Sequence, residues 1–276
     1  LIVDAAKAEG AELGTMVAVA ARRDAVEAAI SGLEGVVVAN HNAPLQSIVS
    51  GSRAAVNAVT ERLAAAGIDA TPLPVAAAFH SHLVRPAQGA LAEAIQATPW
   101  RAPAVPVYSN STGLPHAADV EETRRRMADH LVLPVEFVAE IEAMHRDGAR
   151  IFVEVGPKSV LSRLTAKILE GRPHAAIALD DGTGLPGFLA GLARLACAGV
   201  AIDVGRLFEG RSVLLGDPAD LPTLSRRVTA SRHAWLLNGS GARRVSEPVR
   251  QIGMTLEQAA ARPTRELAES AAMPMV

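Results

Sequence analysis

Cysteine is almost missing from this chain: Cys197 is the single one in 276 residues, so no disulfide can close within it. A reducing, cytoplasmic setting fits that scarcity. Cys197 falls in an Ala/Leu-rich helical pattern, where a thiol serves as a small apolar filler, and burial is expected. Aromatic residues are scarce as well, at 3%, although 49% of the chain is hydrophobic. The core therefore has to be built from Ala, Val, Leu and Ile. Charge of one sign is lacking too: the net charge of -2 argues against a nucleic-acid backbone as the main partner. No apolar run approaches the ~20 residues needed to span a membrane, and the start lacks the basic-then-apolar layout of a signal peptide. Methionine is not the first residue; Leu1 is, which fits a fragment of a longer polypeptide.

What is present is a compact alternation of patterns. Residues 1–13 read as the end of a helix, with Ile2, Ala5, Ala6 and Leu13 on one side. Residues 15–20 read as a strand, and 23–33 as a helix carrying Val26, Ala29 and Ile30 at helical spacing. Two strands follow, 35–40 and 46–50, joined through a turn at His41-Asn42-Ala43-Pro44. Ser52 caps a helix to about residue 66 with Ala55, Val56, Val59 and Leu63 facing inward, and 68–73 is a further strand. This βαββαβ order is that of a ferredoxin-like unit, spanning 14–75. Farther on, helices are expected over 86–97, 121–131, 135–147, 159–170 and 185–198, and strands over 104–109, 150–155 and 175–179. Together, 76–205 read as part of a larger α/β unit. From 206 to 276 periodicity fades, and proline, charge and alanine suggest a linker and a solvated tail.

Between the two α/β patterns lies Ala77-Ala78-Phe79-His80-Ser81, where an extended segment gives way to a helix. An imidazole at such a junction can be held rigidly and still reach an open cleft, as a general base must. A hydrogen-bonded, half-buried histidine with no chemical task fits the same spacing.

Ala77-Ala78-Phe79-His80-Ser81, followed by Val105-Pro106-Val107-Tyr108-Ser109-Asn110-Ser111 and by Phe152-Val153-Glu154-Val155-Gly156-Pro157, resembles the acyltransferase domain of type I polyketide synthases. The malonyl-CoA:acyl carrier protein transacylases are close relatives of that family. The resemblance covers most of the chain to about residue 205. It implies a ferredoxin-like small subdomain beside the C-terminal part of an α/β-hydrolase-like large subdomain, then a post-acyltransferase linker. It also implies that the front of the domain is missing.

In that family an acyl group passes between thioesters through an ester on serine, which needs a neighbouring base and backbone N–H donors for the oxyanion. The serine sits in a Gly-x-Ser-x-Gly turn. No such pattern occurs here, and Ser240 in Asn238-Gly239-Ser240-Gly241 lacks its spacing. The family's carboxylate-binding arginine would also lie in the missing part. His80 matches the catalytic base. The block from His130 to Phe137 is similar to the segment whose backbone carbonyl orients that base, a role that falls to His130. Phe79, beside the base, resembles the malonyl-selective version of the motif; the methylmalonyl version has Ser. Ala77 stands where His or Tyr is usual, which together with His82 resembles iterative synthases of the polyunsaturated-fatty-acid or enediyne kind. Asn110 and Gly156-Pro157 match the active-site rim, though turn and strand-end chemistry explains them equally well. The resemblance implies malonyl-CoA as substrate, no bound cofactor, and as partners an acyl carrier protein with its phosphopantetheine and neighbouring synthase domains.

Two other classes compete with this one. Eight histidines, with His80 and His82 two apart, raise metal binding. No Cys-x-x-Cys or His-Glu-x-x-His accompanies them, and in extended chain the two would face opposite ways, so no metal is expected. The other class is an inert docking module for a carrier protein, which the lack of a nucleophile leaves open.

Overall fold

The computed structural model describes residues 12–210, Ala219 and, as backbone, 235–238 and 241–244. The chain divides into two units, the first ending at Asp203 and the second beginning at Val204.

The first unit starts from strand alternation. In β1 (Thr15–Val19), Val17 and Val19 point to one face, while Met16 and Ala18 point to the other. The Val17 face receives α1 (Arg23–Ile30) through Val26, and α2 (Arg53–Ala65) through Val56, Val59 and Leu63. Burying each such side chain stabilises the fold by about 1.5–3 kcal/mol. Helix α2 begins where Ser52 Oγ accepts the Ala55 N–H at 3.2 Å. With β2 (Val36–Ala43), β3 (Gln46–Gly51) and β4 (Ala70–Pro72), β1 forms an antiparallel sheet in the order β2-β3-β1-β4. Its second face gathers Met16, Ala39 and Ile48 into a smaller cluster against which Phe79 packs.

Beyond β4 the chain forms a 3-10 helix (His82–Ala87), α3 (Gln88–Ala97), α4 (Val120–Asp129) and α5 (Phe137–Arg146). A βαβ unit follows: β5 (Ile151–Pro157) and β6 (Ala175–Asp180) pair in parallel, with α6 (Val160–Ile168) between them in sequence. Ile141, Ile168 and Leu169 form its core with Phe137, Met144 and Phe152. Helix α7 (Leu185–Cys197) turns Gly187, Gly191 and Leu195 inward.

Several expectations change. The turn foreseen at 41–44 is strand as far as Ala43, with two bulges in β2, and the reversal tightens to Pro44-Leu45. Residues 104–109 make no ladder strand. Pro106 has no N–H to give, Val105 and Val107 are exposed, and one bridge joins Tyr108 to Pro115. The helix start at 86 is a 3-10 turn because Pro86 lies inside it. The helix expected over 159–170 runs Val160–Ile168, and of its apolar residues Val160 and Leu161 are exposed, whereas Leu164 and Ile168 are buried. Cys197 is exposed, since it ends α7 away from the Gly187-Gly191-Leu195 face.

The second unit holds a 3-10 helix (Val204–Phe208) and a hairpin of β7 (Trp235–Asn238) and β8 (Gly241–Arg244). The helix end expected over residues 1–13 falls almost wholly outside the described residues, as does most of the expected tail. No helix among the described residues is long and apolar enough to cross a membrane.

Gly14 lies in close approach to both Gly51 of the small sheet and Ala78 in the segment before His80. Its φ is +67°, and a Cβ there would lie 2.4 Å from the Gly51 carbonyl oxygen and 2.7 Å from Ala78 Cβ. Gly32 shares the left-handed φ, but a Cβ there would meet nothing within 4 Å. Gly14→Ala should therefore cost about 3 kcal/mol or more in urea unfolding, against about 1 kcal/mol for Gly32→Ala. Equal losses would contradict the close approach.

Candidate active site

His80 is held in an unusual backbone state. Its φ is +57°, one of two non-glycine residues with positive φ among those described. Such a conformation costs about 1–3 kcal/mol and persists only where the surroundings enforce it. They do so by a run of short bonds. Ala78 N–H donates to the Leu13 carbonyl at 2.6 Å, and Phe79 N–H to Ala77 at 3.0 Å. Ser50 Oγ donates to the Phe79 carbonyl at 2.7 Å. Buried Ser81 donates its hydroxyl to the Ala78 carbonyl at 2.6 Å and accepts the Leu83 N–H at 3.2 Å, which opens the 3-10 helix.

The side chain is fixed just as firmly. Nδ1 of His80 lies 3.1 Å from the His130 carbonyl and 3.0 Å from the Leu133 carbonyl. Carbonyl oxygens only accept, so Nδ1 carries the proton and donates to both. In the neutral ring Nε2 is then the lone-pair nitrogen, the state a general base needs. The two carbonyls belong to the loop after α4, and that loop is anchored on the small sheet. Val135 N–H donates to Ala39, and His41 N–H donates to Val135, each at 2.8 Å. Glu136 N–H donates to the Asn110 carbonyl at 2.6 Å. Arg23, on α1, reaches the Glu136 carboxylate at 2.6 Å and that of Glu27 at 2.7 Å, and both bonds raise its pKa.

The other residues singled out from sequence are placed as follows. Phe79 packs against Met16, Ala39 and Ile48, so its ring braces the sheet beside His80. Ala77 is wholly buried. Asn110 turns its amide nitrogen toward Glu140, donating to Oε1 at 3.0 Å and also to Oε2. His82 is exposed. Sequence reasoning missed the Leu133 carbonyl, the Ser50 and Ser81 hydroxyls and the Arg23–Glu136 pair. Among the described residues no three His, Cys, Asp or Glu side chains gather as a metal site would require.

Comparison with known proteins decides the family. A model described as the acyl transferase domain matches residues 5–201. The chain belongs to the acyltransferase domain family. It is 30% identical over 216 residues to a polyunsaturated fatty acid synthase polypeptide of Thraustochytrium sp., covering 77% of this chain and 7% of that polypeptide. It is 34% identical over 149 residues to the malonyl CoA-acyl carrier protein transacylase of Bacillus subtilis, covering 54% of this chain and 45% of that protein. Among solved structures it is similar to the acyltransferase domain from the second module of the salinomycin polyketide synthase. The TM-score is 0.66 at 30% identity, covering 77% of this chain and 52% of that one. The acyltransferase domain of an iterative polyketide synthase in enediyne biosynthesis matches with a TM-score of 0.63 at 33% identity, covering 76% and 54%. This acyltransferase chain thus spans about half the length of the solved domains it matches.

Glu140 supplies a test of how Asn110 is held. It is 7% exposed, and burial pushes its carboxyl up to about 7. The Asn110 amide favours the charged form and pulls the other way. An acid whose folded pKa is raised binds its proton more tightly when folded. Stability is then fully present below the ordinary 4.5 and falls as pH rises toward 7. The loss by pH 8 should be about 1–3 kcal/mol. Glu140→Gln should remove that slope in urea titrations between pH 5 and 8. An unchanged slope would assign it to other groups.

Proposed function

We propose that this chain is the histidine-bearing part of an acyltransferase domain that loads malonyl from CoA onto an acyl carrier protein. The observation carrying the reading is the double carbonyl grip on His80 Nδ1, which leaves Nε2 as the base. Nε2 takes the proton of a serine hydroxyl as its oxygen attacks the malonyl thioester. The tetrahedral intermediate collapses, the carbon–sulfur bond breaks, and the proton passes to the leaving CoA thiolate. In the return half, Nε2 takes the proton of the carrier's phosphopantetheine thiol, whose sulfur attacks the ester. The serine leaves and recovers the proton. The partners are the carrier protein and neighbouring synthase domains, in the cytoplasm.

The serine is not among these 276 residues in any Gly-x-Ser-x-Gly turn. We read the architecture as a ferredoxin-like small subdomain and the C-terminal part of the large subdomain, with the serine and the carboxylate-binding arginine supplied by the rest of that subdomain. Exposed strand valines support this. Val153 is 41% and Val155 82% exposed on a parallel pair, and parallel sheets are normally covered on both faces. The lack of a nucleophile favours a second reading for the chain by itself, an inert docking module for a carrier protein.

The readings separate in a complete domain that joins this chain to a Gly-x-Ser-x-Gly segment. Acyl-enzyme formation, followed by mass spectrometry, should fall about 10²–10⁴-fold in His80→Ala. Malonyl should load about 10–200-fold faster than methylmalonyl, and Phe79→Ser should erode that ratio by admitting methylmalonyl. A folded His80→Ala that acylates normally would sink the base assignment, and equal loading of the two thioesters the role of Phe79.

A further inference from the structure

The carbonyl of His130 demands nothing of its side chain, since any residue has one. The side chain is nevertheless placed with some precision. The His130 ring stands with its centroid 5.3 Å from that of His80, the planes tilted by 37°. His130 is the C-cap of α4, its N–H bonded to the Arg126 carbonyl at 3.0 Å, so backbone and ring are delivered together by the last turn of that helix. The start of α4 is fixed in turn by Asp119, whose carboxylate accepts the Glu121 N–H at 2.8 Å.

Hydrogen bonding at Nε2 does not explain the ring. Nε2 of His130 is buried and finds no hydrogen-bond partner among the described residues. Leaving such an atom unpaired is costly, so a residue chosen only for packing at this helix end would be apolar. What the ring does touch is His80. The Nδ1 bonds to two carbonyls hold one edge of the His80 imidazole but leave it free to tip about that edge, and a second ring against it blocks the tipping.

We propose that the His130 side chain is a positioning residue for His80, an aromatic wall that keeps the imidazole of the base in the plane set by the two carbonyls. The inference rests on the reading of His80 as base. Charge considerations agree. Burial first, and then neighbouring His80 and His116, hold His130 below the ordinary imidazole value. A wall that stays neutral does not repel the positive charge His80 takes during transfer.

Substitution separates the ring from the carbonyl, because His130→Ala keeps the latter. In the 276-residue chain, the carbon-bound ring protons of His80 should carry a ring-current shift in NMR spectra. That shift should be lost in His130→Ala and restored in His130→Phe; unchanged resonances in His130→Ala would overturn the contact. In the complete domain, His130→Ala should lower the acylation rate constant about 10-fold with KM unchanged. His130→Phe should stay within about twofold of wild type and melt no lower, since it removes the unpaired nitrogen. His130→Ala at the wild-type rate, or His130→Phe as slow as His130→Ala, would overturn the wall. The control separates the two failures. A slow His80→Ala beside a fast His130→Ala sinks only this inference, whereas a fast His80→Ala sinks the reading beneath it.

Discussion

One forked polar contact, made across about 50 residues of sequence, organises the candidate site: Nδ1 of His80 donates to the carbonyl of His130, and also to that of Leu133. Neither acceptor is a titratable group. The grip therefore selects a tautomer without placing a formal charge beside the ring. Its accuracy depends on the loop that carries the carbonyls. Val135 is sandwiched by backbone bonds to Ala39 and His41 on β2, so the small sheet sets the position of the His80 ring from a distance. Arg23 adds an ion pair to Glu136 across the same junction, with Arg23 35% and Glu136 19% exposed. That exposure makes it a modest brace, worth about 1 kcal/mol or less, beside the two backbone bonds.

The strain at His80 follows from the same arrangement. A residue at positive φ breaks the extended run before it and starts a new direction for the 3-10 helix after it. Ser81 makes this tolerable by bonding on both sides of the kink, to the Ala78 carbonyl and from the Leu83 N–H. Small residues are needed around it. Ala77 and Ala78 are wholly buried, and Gly14 approaches Ala78 closely enough that no side chain fits. The shortage of aromatic residues is thus consistent with the packing near the site, where one large ring, Phe79, packs on the face of the sheet opposite Val17 and Val19.

Local pattern carried far in this sequence. The Ser52 cap, the helix it opens and the inward Val56, Val59 and Leu63 of α2 were legible because capping and periodicity are short-range properties. His80 was legible as a candidate because its neighbours form a recognisable motif. Illegible features were those made by distant partners. Residues 104–109 have strand composition, but a strand needs a neighbour to bond, and Pro106 weakens its claim on one. The hairpin turn moved because His41, assigned to a turn, bonds to Val135 through its backbone. The Leu133 carbonyl left no trace at all, since a main-chain acceptor has no side-chain signature. The engagement of the Asn110 amide with Glu140 was equally invisible, since it too joins residues from separate segments.

The central claim concerns which nitrogen of His80 bears the proton, and nitrogen-15 NMR of the histidine-labelled chain reads this directly. At a pH where the ring is neutral, Nδ1 should show the shift of a protonated, pyrrole-type nitrogen and Nε2 that of a bare, pyridine-type one. The reverse pattern, with the proton on Nε2, would mean that the two carbonyls do not hold the ring, and it would contradict the account.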